Sequence, residues 1–150
     1  MFSIRHTIVS MGIAAALAVV ATAPVYASET NAISIVKNCA TWGTTATCVV
    51  TSSRPLGFLG GAVITYGGGP GGHPFDLFGA TGTDVQIVTD SPSGAAPGFC
   101  HMNPAIGLGH CTFSSGTGKL NGFSADLVVR SLGSGNWSLI GSYGYRSDED

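Results

Sequence analysis

Two cysteine–histidine dipeptides, written in opposite order, are the residues best placed to do chemistry. They are Cys100-His101 and His110-Cys111. If the two cysteines face each other across an antiparallel pair of strands, the same register places His101 opposite His110. Because adjacent residues of a strand point to opposite faces, both imidazoles would then lie together on the face away from the cysteines.

Facing imidazoles of this kind can share a divalent transition metal. Two ligands bind a metal weakly, so a third is needed, and His73 or Asp76 in the glycine-rich loop at 67–81 could supply it. A metal site at His101, His110 and His73 is therefore a hypothesis. The alternative is a pair of surface or turn histidines that bind no ligand. Apart from this metal, the sequence indicates no cofactor.

The cysteines of the chain, Cys39, Cys48, Cys100 and Cys111, favour disulfides. An even number of cysteines in an exported chain, which meets oxidising conditions, is typical of a disulfide framework. Three pairings are open in principle. The two short spacings predict that Cys39 joins Cys48 and that Cys100 joins Cys111. A structural zinc site is the rival interpretation, but neither spacing is the C-x₂₋₄-C of such sites.

Other catalytic motifs are weak or absent in the sequence. Gly67, Gly69 and Gly72 match G-x-G-x-x-G, yet Pro70 interrupts the segment and no helix follows. A flexible surface loop is the better interpretation than a nucleotide site. No G-x-S-x-G elbow occurs, and the mature chain is short of the paired carboxylates that glycoside hydrolysis needs. We assign no catalytic residue from the sequence.

The N-terminal segment at 1–27 has the three parts of a secretory signal peptide. Basic Arg5 precedes an apolar run at 13–20, and a small-residue stretch ends in the A-x-A-like Val25-Tyr26-Ala27. The apolar run is too short for a membrane span of about 20 residues. We expect cleavage after Ala27, a mature chain without a membrane span, and a secreted or periplasmic location.

Composition bounds the class of the mature chain. Charged residues make up 9% of the sequence, and 6 Lys and Arg against 8 Asp and Glu leave no basic patch for a nucleic acid. Hydrophobic residues make up 44%, which is enough to bury a core. A mature chain of roughly 120 residues suits one domain. We expect a single domain over 28–150 that ends in an acidic tail at 147–150.

β-branched and aromatic runs, bounded by Gly, Pro, Ser and Asn, indicate strands rather than helices. In the clearest run, Phe123, Ala125, Leu127 and Val129 point to one face and polar residues alternate with them. Pro97 and other prolines fall between the predicted strands, as expected because proline cannot donate to a ladder. We predict strands at 32–39, 47–52, 58–66, 84–90, 98–102, 109–113 and 123–131, and one that begins at Trp137.

About eight short antiparallel strands joined by glycine turns predict an all-β fold. The architecture is either an up-and-down β-barrel or a β-sandwich. Hairpin-like connections throughout favour the barrel. Aromatic side chains such as Trp137 and Tyr143 then fill the core, or they line a cavity for one small ligand.

The turn at 116–120 adds a resemblance to known proteins. The segment from Cys111 to Lys119, C-T-F-x-x-G-T-G-K, resembles a C-terminal pattern of small exported bacterial proteins of unassigned function. Its Gly-Thr-Gly-Lys turn is more distantly similar to the G-G-T-G-K/R-[FY] turn of dirigent proteins and allene-oxide-cyclase-like barrels. The resemblance implies an allene-oxide-cyclase-like barrel. Ser115 and Leu120 depart from that turn, and the acidic and tyrosine residues of those enzymes have no alignable counterpart, so no catalytic residue is carried over.

Taken together, these features predict an exported, non-enzymatic β-domain that binds a small apolar ligand or a surface partner. A chain with so few charges has few groups to use as acids or bases. Two alternatives stay open: a small barrel enzyme of the allene-oxide-cyclase or dirigent type, and a structural or self-associating envelope protein. A cavity with a buried ionisable residue on its wall, such as Asp84 or Asp126, would favour the enzyme.

The signal-peptide prediction has a direct test. Intact mass of the protein recovered from the extracytoplasmic fraction should match a chain that begins at Ser28. A membrane-embedded species that still carries residues 1–27 would contradict it.

Overall fold

A computed structural model describes most of the chain that follows the predicted signal peptide. The predicted signal peptide at 1–27, most of the glycine-rich loop at 67–81 and the acidic tail at 147–150 lie outside the described residues. At 41–42 only the backbone is described. The structure describes residues 30–42, 45–67, 76–79, 81–103 and 105–146.

The described residues form strands and one short 3₁₀ helix, Gly57–Leu59. No helix among them is long and apolar enough to cross a membrane. The strands are β1 Asn31–Trp42, β2 Ala46–Arg54, β3 Val63–Tyr66, β4 Thr83–Asp90, β5 Ser93–Asn103, β6 Leu108–Phe113, β7 Thr117–Gly118, β8 Phe123–Gly133 and β9 Asn136–Tyr145.

Eight of these strands close into an antiparallel barrel, and β7 is an extra strand. The order around the barrel is β1, β2, β3, β4, β5, β6, β8, β9, and β9 pairs back onto β1. Each barrel strand therefore lies beside its neighbour in the chain. The prediction of an up-and-down barrel is confirmed, and the sandwich alternative is wrong because the sheet is continuous and closed.

Two local predictions are corrected by the structure. The strand predicted at 58–66 begins only at Val63, because Gly61 takes a left-handed φ of 84° that the extended ladder cannot hold. Pro97 lies inside β5 rather than between strands. It is tolerated there because it sits between the part of β5 that pairs with β7 and the part that pairs with β6, where no ladder N–H is needed.

Alternation along the strands fills the barrel interior with side chains. Phe123, Ala125, Leu127 and Val129 of β8 are all buried, as their spacing predicts. The described chain begins and ends at the same end of the barrel. There the rings of Phe123 and Tyr145 lie with their centres 5.7 Å apart. This end of the core is closed by aromatic packing.

Both predicted disulfides are present, Cys39–Cys48 and Cys100–Cys111. Each joins residues that stand directly opposite each other on neighbouring strands, with Cα atoms 4.0 and 4.2 Å apart. Both lie near the same end of the barrel, which we call the disulfide end. It carries the β1–β2, β3–β4, β5–β6 and β8–β9 connections. In the chain-entropy account each disulfide stabilises the folded chain by on the order of 3 kcal/mol, because it restricts the unfolded chain.

Gly141 gives a test of how closely β8 and β9 pack. A Cβ at this inward position would meet the backbone carbonyl oxygen of Asp126, which cannot turn away as a side chain can. We expect Gly141→Ala to lower the free energy of unfolding by roughly 1–3 kcal/mol, the usual cost of overpacking. Gly57→Ala is the control, because a Cβ there meets nothing within 4 Å. Equal urea midpoints for the two variants would contradict this packing.

Candidate functional site

The histidine register predicted from the cysteines is confirmed. His101 and His110 stand opposite each other on β5 and β6, and both are exposed on the outer face of the barrel. Each ring has its own partner. His110 Nε2 donates to Asp126 Oδ1 at 2.6 Å, and His101 Nε2 donates to the carbonyl oxygen of Gly79 at 2.8 Å. The outer face thus carries two hydrogen-bonded histidines.

A metal at these histidines stays a prediction. His73 lies outside the described residues, and among the residues described no group of three or more His, Cys, Asp and Glu could hold a metal ion. Asp76, the other proposed ligand, accepts hydrogen bonds from the backbone N–H and the hydroxyl of Thr81. These bonds, with a smaller effect of His101, lower the pKa of the Asp76 carboxyl.

The two aspartates weighed as acids take different positions. Asp126 is exposed on the outer face beside His110. Asp84 lies on β4 opposite Phe99 of β5, and it is buried. Neither is among the residues that line the interior cavity described below.

An interior position of β1 holds a lysine. Lys37 continues the inward series of Ile33 and Ile35, and its side chain is 2% exposed. The register places Lys37 opposite Val50 of β2 and opposite Trp137 of β9. Lysine is almost never fully buried unless it is paired, so this residue needs a partner or a role.

The partner of Lys37 among the described residues is Tyr66, the last residue of β3. Lys37 Nζ donates a hydrogen bond to Tyr66 Oη and lies 4.0 Å from the centre of the ring. The tyrosine is 1% exposed. A phenol, unlike a carboxylate, does not neutralise a buried ammonium by its own charge.

Burial changes the protonation of both groups. It lowers the pKa of Lys37 from 10.5 to about 7, because the low-dielectric interior disfavours the ammonium. It raises the pKa of Tyr66, because the same interior disfavours the phenolate. Near neutral pH the amine is therefore partly uncharged and the phenol keeps its proton. The pair places a basic nitrogen beside a hydroxyl donor.

Lys37 and Tyr66 face a small cavity at the disulfide end. Its volume is about 10 Å³, the room of roughly one water molecule. Strands β1, β3, β5, β6, β8 and β9 all contribute to its wall, and no carboxylate is among the described residues that line it. These are Lys37, Tyr66, Leu77, Met102, Cys111, Val129 and Trp137.

Leu77 covers this cavity from a turn at Asp76–Gly79, which we call the roof turn. The Leu77 side chain is buried, and its carbonyl oxygen accepts from Met102 N at 2.8 Å. His101 holds the same turn from outside through the Gly79 oxygen. The roof turn therefore joins His101 on the outer face to the wall of the cavity that Lys37 lines.

The sequence motifs above do not include Lys37 or Tyr66, although the alternation along β1 contains a signal for the lysine. In Ile33, Ile35, Lys37 and Cys39 the alternation puts a lysine in phase with apolar residues. A charge at an inward position of a predicted strand indicates either an error in the strand or a functional site. Tyr66 gave no comparable signal, because tyrosine is common at half-buried strand positions.

Lys37 makes the stability of the protein depend on pH. Below about pH 7 the amine is protonated in both the folded and the unfolded chain, so the full cost of burying it is present. Between about pH 7 and pH 10.5 the amine holds a proton in the unfolded chain but not in the folded chain. The free energy of unfolding therefore rises with pH over this range.

We therefore expect wild-type unfolding free energy to rise, relative to Lys37→Met, by up to about 1.4 kcal/mol per pH unit above pH 7. Urea unfolding of both proteins at several pH values, with disulfides intact, measures this difference. Parallel curves for the two proteins would show that Lys37 does not titrate in the folded chain as described.

Comparison with known proteins returns no match: no protein-family model, no curated protein and no solved structure matches the chain. The resemblance of the turn at 116–120 to dirigent and allene-oxide-cyclase-like proteins thus stays a resemblance. The structure places this turn in the β6–β8 connection, where it carries β7, at the end of the barrel away from Lys37.

Proposed function

We propose that this protein is an exported, non-enzymatic binding module for a small, mostly apolar ligand that carries one oxygen acceptor. The ligand occupies the disulfide end of the barrel interior. The observation that carries the proposal is the Lys37–Tyr66 pair, a buried amine and a buried phenol that face each other at one small interior cavity.

The energetics of the pair support a ligand rather than a structural role. Burying an amine without a countercharge costs free energy, and an apolar side chain at position 37 would serve the core at least as well. Ligand sites, in contrast, combine apolar walls with a few convergent polar groups. Lys37 and Tyr66 are two such groups, and both present hydrogen-bond donors toward one small space.

Leu77 decides how a ligand is admitted. The cavity is too small for more than a water molecule, so a ligand takes the space that the Leu77 side chain now fills. A cavity of leucine size in a protein interior is known to accept a benzene-sized guest. Two hydrogen bonds join the roof turn to β5: Met102 N donates to the Leu77 oxygen, and the His101 ring donates to the Gly79 oxygen.

The disulfides and the N-terminal segment bear on where the protein is located. The disulfides Cys39–Cys48 and Cys100–Cys111 are consistent with an extracellular or other oxidising compartment. We infer from the basic start, the apolar run and the A-x-A-like end of the segment at 1–27 that the protein reaches this compartment by a cleaved signal peptide and is secreted or periplasmic.

A second candidate function is favoured by the same pair. A partly uncharged amine near neutral pH is a base, and a phenol beside it is an acid, so the two could catalyse proton transfer in a bound substrate. A binding module returns its ligand unchanged, whereas an enzyme does not. Recovery of the ligand after prolonged incubation separates the two candidates.

Tetrahydropyran and cyclohexane test the binding proposal, because they have nearly the same shape and only the ether carries an acceptor. We expect both to shift the methyl resonance of Met102 in NMR titrations, and Leu77→Ala to strengthen binding of both by enlarging the cavity. Tyr66→Phe should weaken the ether by roughly 2- to 10-fold, the worth of one hydrogen bond, and leave cyclohexane unchanged.

The control is Val128→Ala, which removes an exposed side chain from the outer face. It should change neither affinity. Two results would overturn the proposed site: NMR shifts confined to residues of the outer face, or equal losses of affinity for the ether and the hydrocarbon in Tyr66→Phe.

A further inference from the structure

We propose that Lys37 captures small aldehydes by forming a reversible imine inside the barrel, with the Tyr66 hydroxyl holding the carbonyl oxygen. This inference rests on the proposed ligand site and names its chemical class. The site then binds a ligand covalently and without turnover, as a trap or carrier of small carbonyl compounds.

The geometry of the pair carries this inference. Lys37 Nζ is within hydrogen-bond reach of Tyr66 Oη, so a group that enters the cavity meets a nitrogen and a hydroxyl at adjacent points. A carbonyl group needs this arrangement, because its carbon must meet a lone pair while its oxygen receives a hydrogen bond. A carboxylate beside the amine would instead hold it as an ammonium, and none is among the described residues of the cavity wall.

The protonation of the pair supports the same chemistry. Only an uncharged amine adds to a carbonyl. An ordinary lysine has a pKa of about 10.4, so less than about 0.1% of its amine is uncharged at pH 7. Burial brings the pKa of Lys37 to about 7, so about half of it is uncharged there. The uncharged fraction therefore exceeds that of an ordinary lysine by on the order of 10³.

The covalent step balances within the amine and the aldehyde. The lone pair of Lys37 Nζ forms a bond to the carbonyl carbon, and the carbonyl π electrons move to oxygen, which takes up one of the two protons of the nitrogen. The C–O bond of the carbinolamine then breaks, and the hydroxyl group leaves as water with the second proton of the nitrogen. A C=N bond has formed, a C=O bond has broken, one water has left, and no oxidant or reductant takes part.

The sequence allows an unusually direct test, because Lys37 and Lys119 are the only lysines in the chain. Lys119 is exposed and lies with its nitrogen 5.7 Å from the centre of the Phe58 ring. It is therefore the internal control for a solvent-exposed amine. The amino group of Ser28, freed by the predicted cleavage, is the third reactive amine of the mature protein.

The experiment uses the oxidised mature protein with propanal and sodium cyanoborohydride near pH 7, followed by peptide mapping. The reducing agent converts the imine to a stable propyl amine. We expect Lys37 to be labelled at least about tenfold faster than Lys119, with a rate that rises to half its maximum near pH 7. Lys119→Arg should leave the labelling of Lys37 unchanged.

Two variants separate a chemical role from a structural one. Tyr66→Phe should slow labelling of Lys37 and leave Lys119 unchanged, whereas Leu77→Ala should speed labelling of Lys37 by opening the cavity. Lys37→Arg keeps a positive charge and cannot form an imine, so its labelling should be confined to the exposed amines. The far-UV circular dichroism of each variant shows whether it is folded.

The outcomes distinguish this inference from the proposed function. Labelling confined to Lys119 and the N-terminus in folded wild-type protein overturns the imine. If tetrahydropyran still binds at the cavity in that case, the binding proposal stands without the covalent step. Selective labelling of Lys37 without tetrahydropyran binding supports the imine and overturns the proposed noncovalent ligand.

Discussion

Closure of the sheet between its first and last strands is the constraint on which the rest of the structure depends. β1 pairs with β9 in a ladder that runs from Asn31 opposite Tyr143 to Asn38 opposite Asn136. The ladder therefore joins the two ends of the described sequence. This ladder removes the free edges of an open sheet and separates an inner face from an outer one. It therefore decides that the inward series of β1, with Lys37 in it, faces an enclosed interior instead of solvent.

Side chains fill the interior along most of its length, and a buried amine and a buried phenol lie at one end. Aromatic rings close the end beside Phe123, while the amine and phenol of Lys37 and Tyr66 lie near the disulfide end. Both disulfides stand at the same end as this pair, and one of them, through Cys111, forms part of the cavity wall. The covalent bracing thus coincides with the buried amine, a group that costs free energy to enclose.

The roof turn relates the two faces of the barrel. Its Leu77 side chain enters the interior, while the Gly79 carbonyl accepts from His101 on the outer face. The dipeptide Cys100-His101 therefore serves both faces at once, because adjacent residues of a strand point in opposite directions. Its cysteine braces the wall and its histidine holds the cover of the site.

Short-range patterns in the sequence determined the strands, the disulfide pairs and the register of the histidines. Alternation along Phe123 to Val129 and the spacings of the cysteines are local, so they can be read from neighbouring residues. Tertiary structure decided between barrel and sandwich, since that choice depends on β1 meeting β9. It also brought Lys37 to Tyr66, 29 residues away, and turned an isolated lysine into a site. Burial by distant strands shifts its pKa, and no local pattern specifies which strands will surround it.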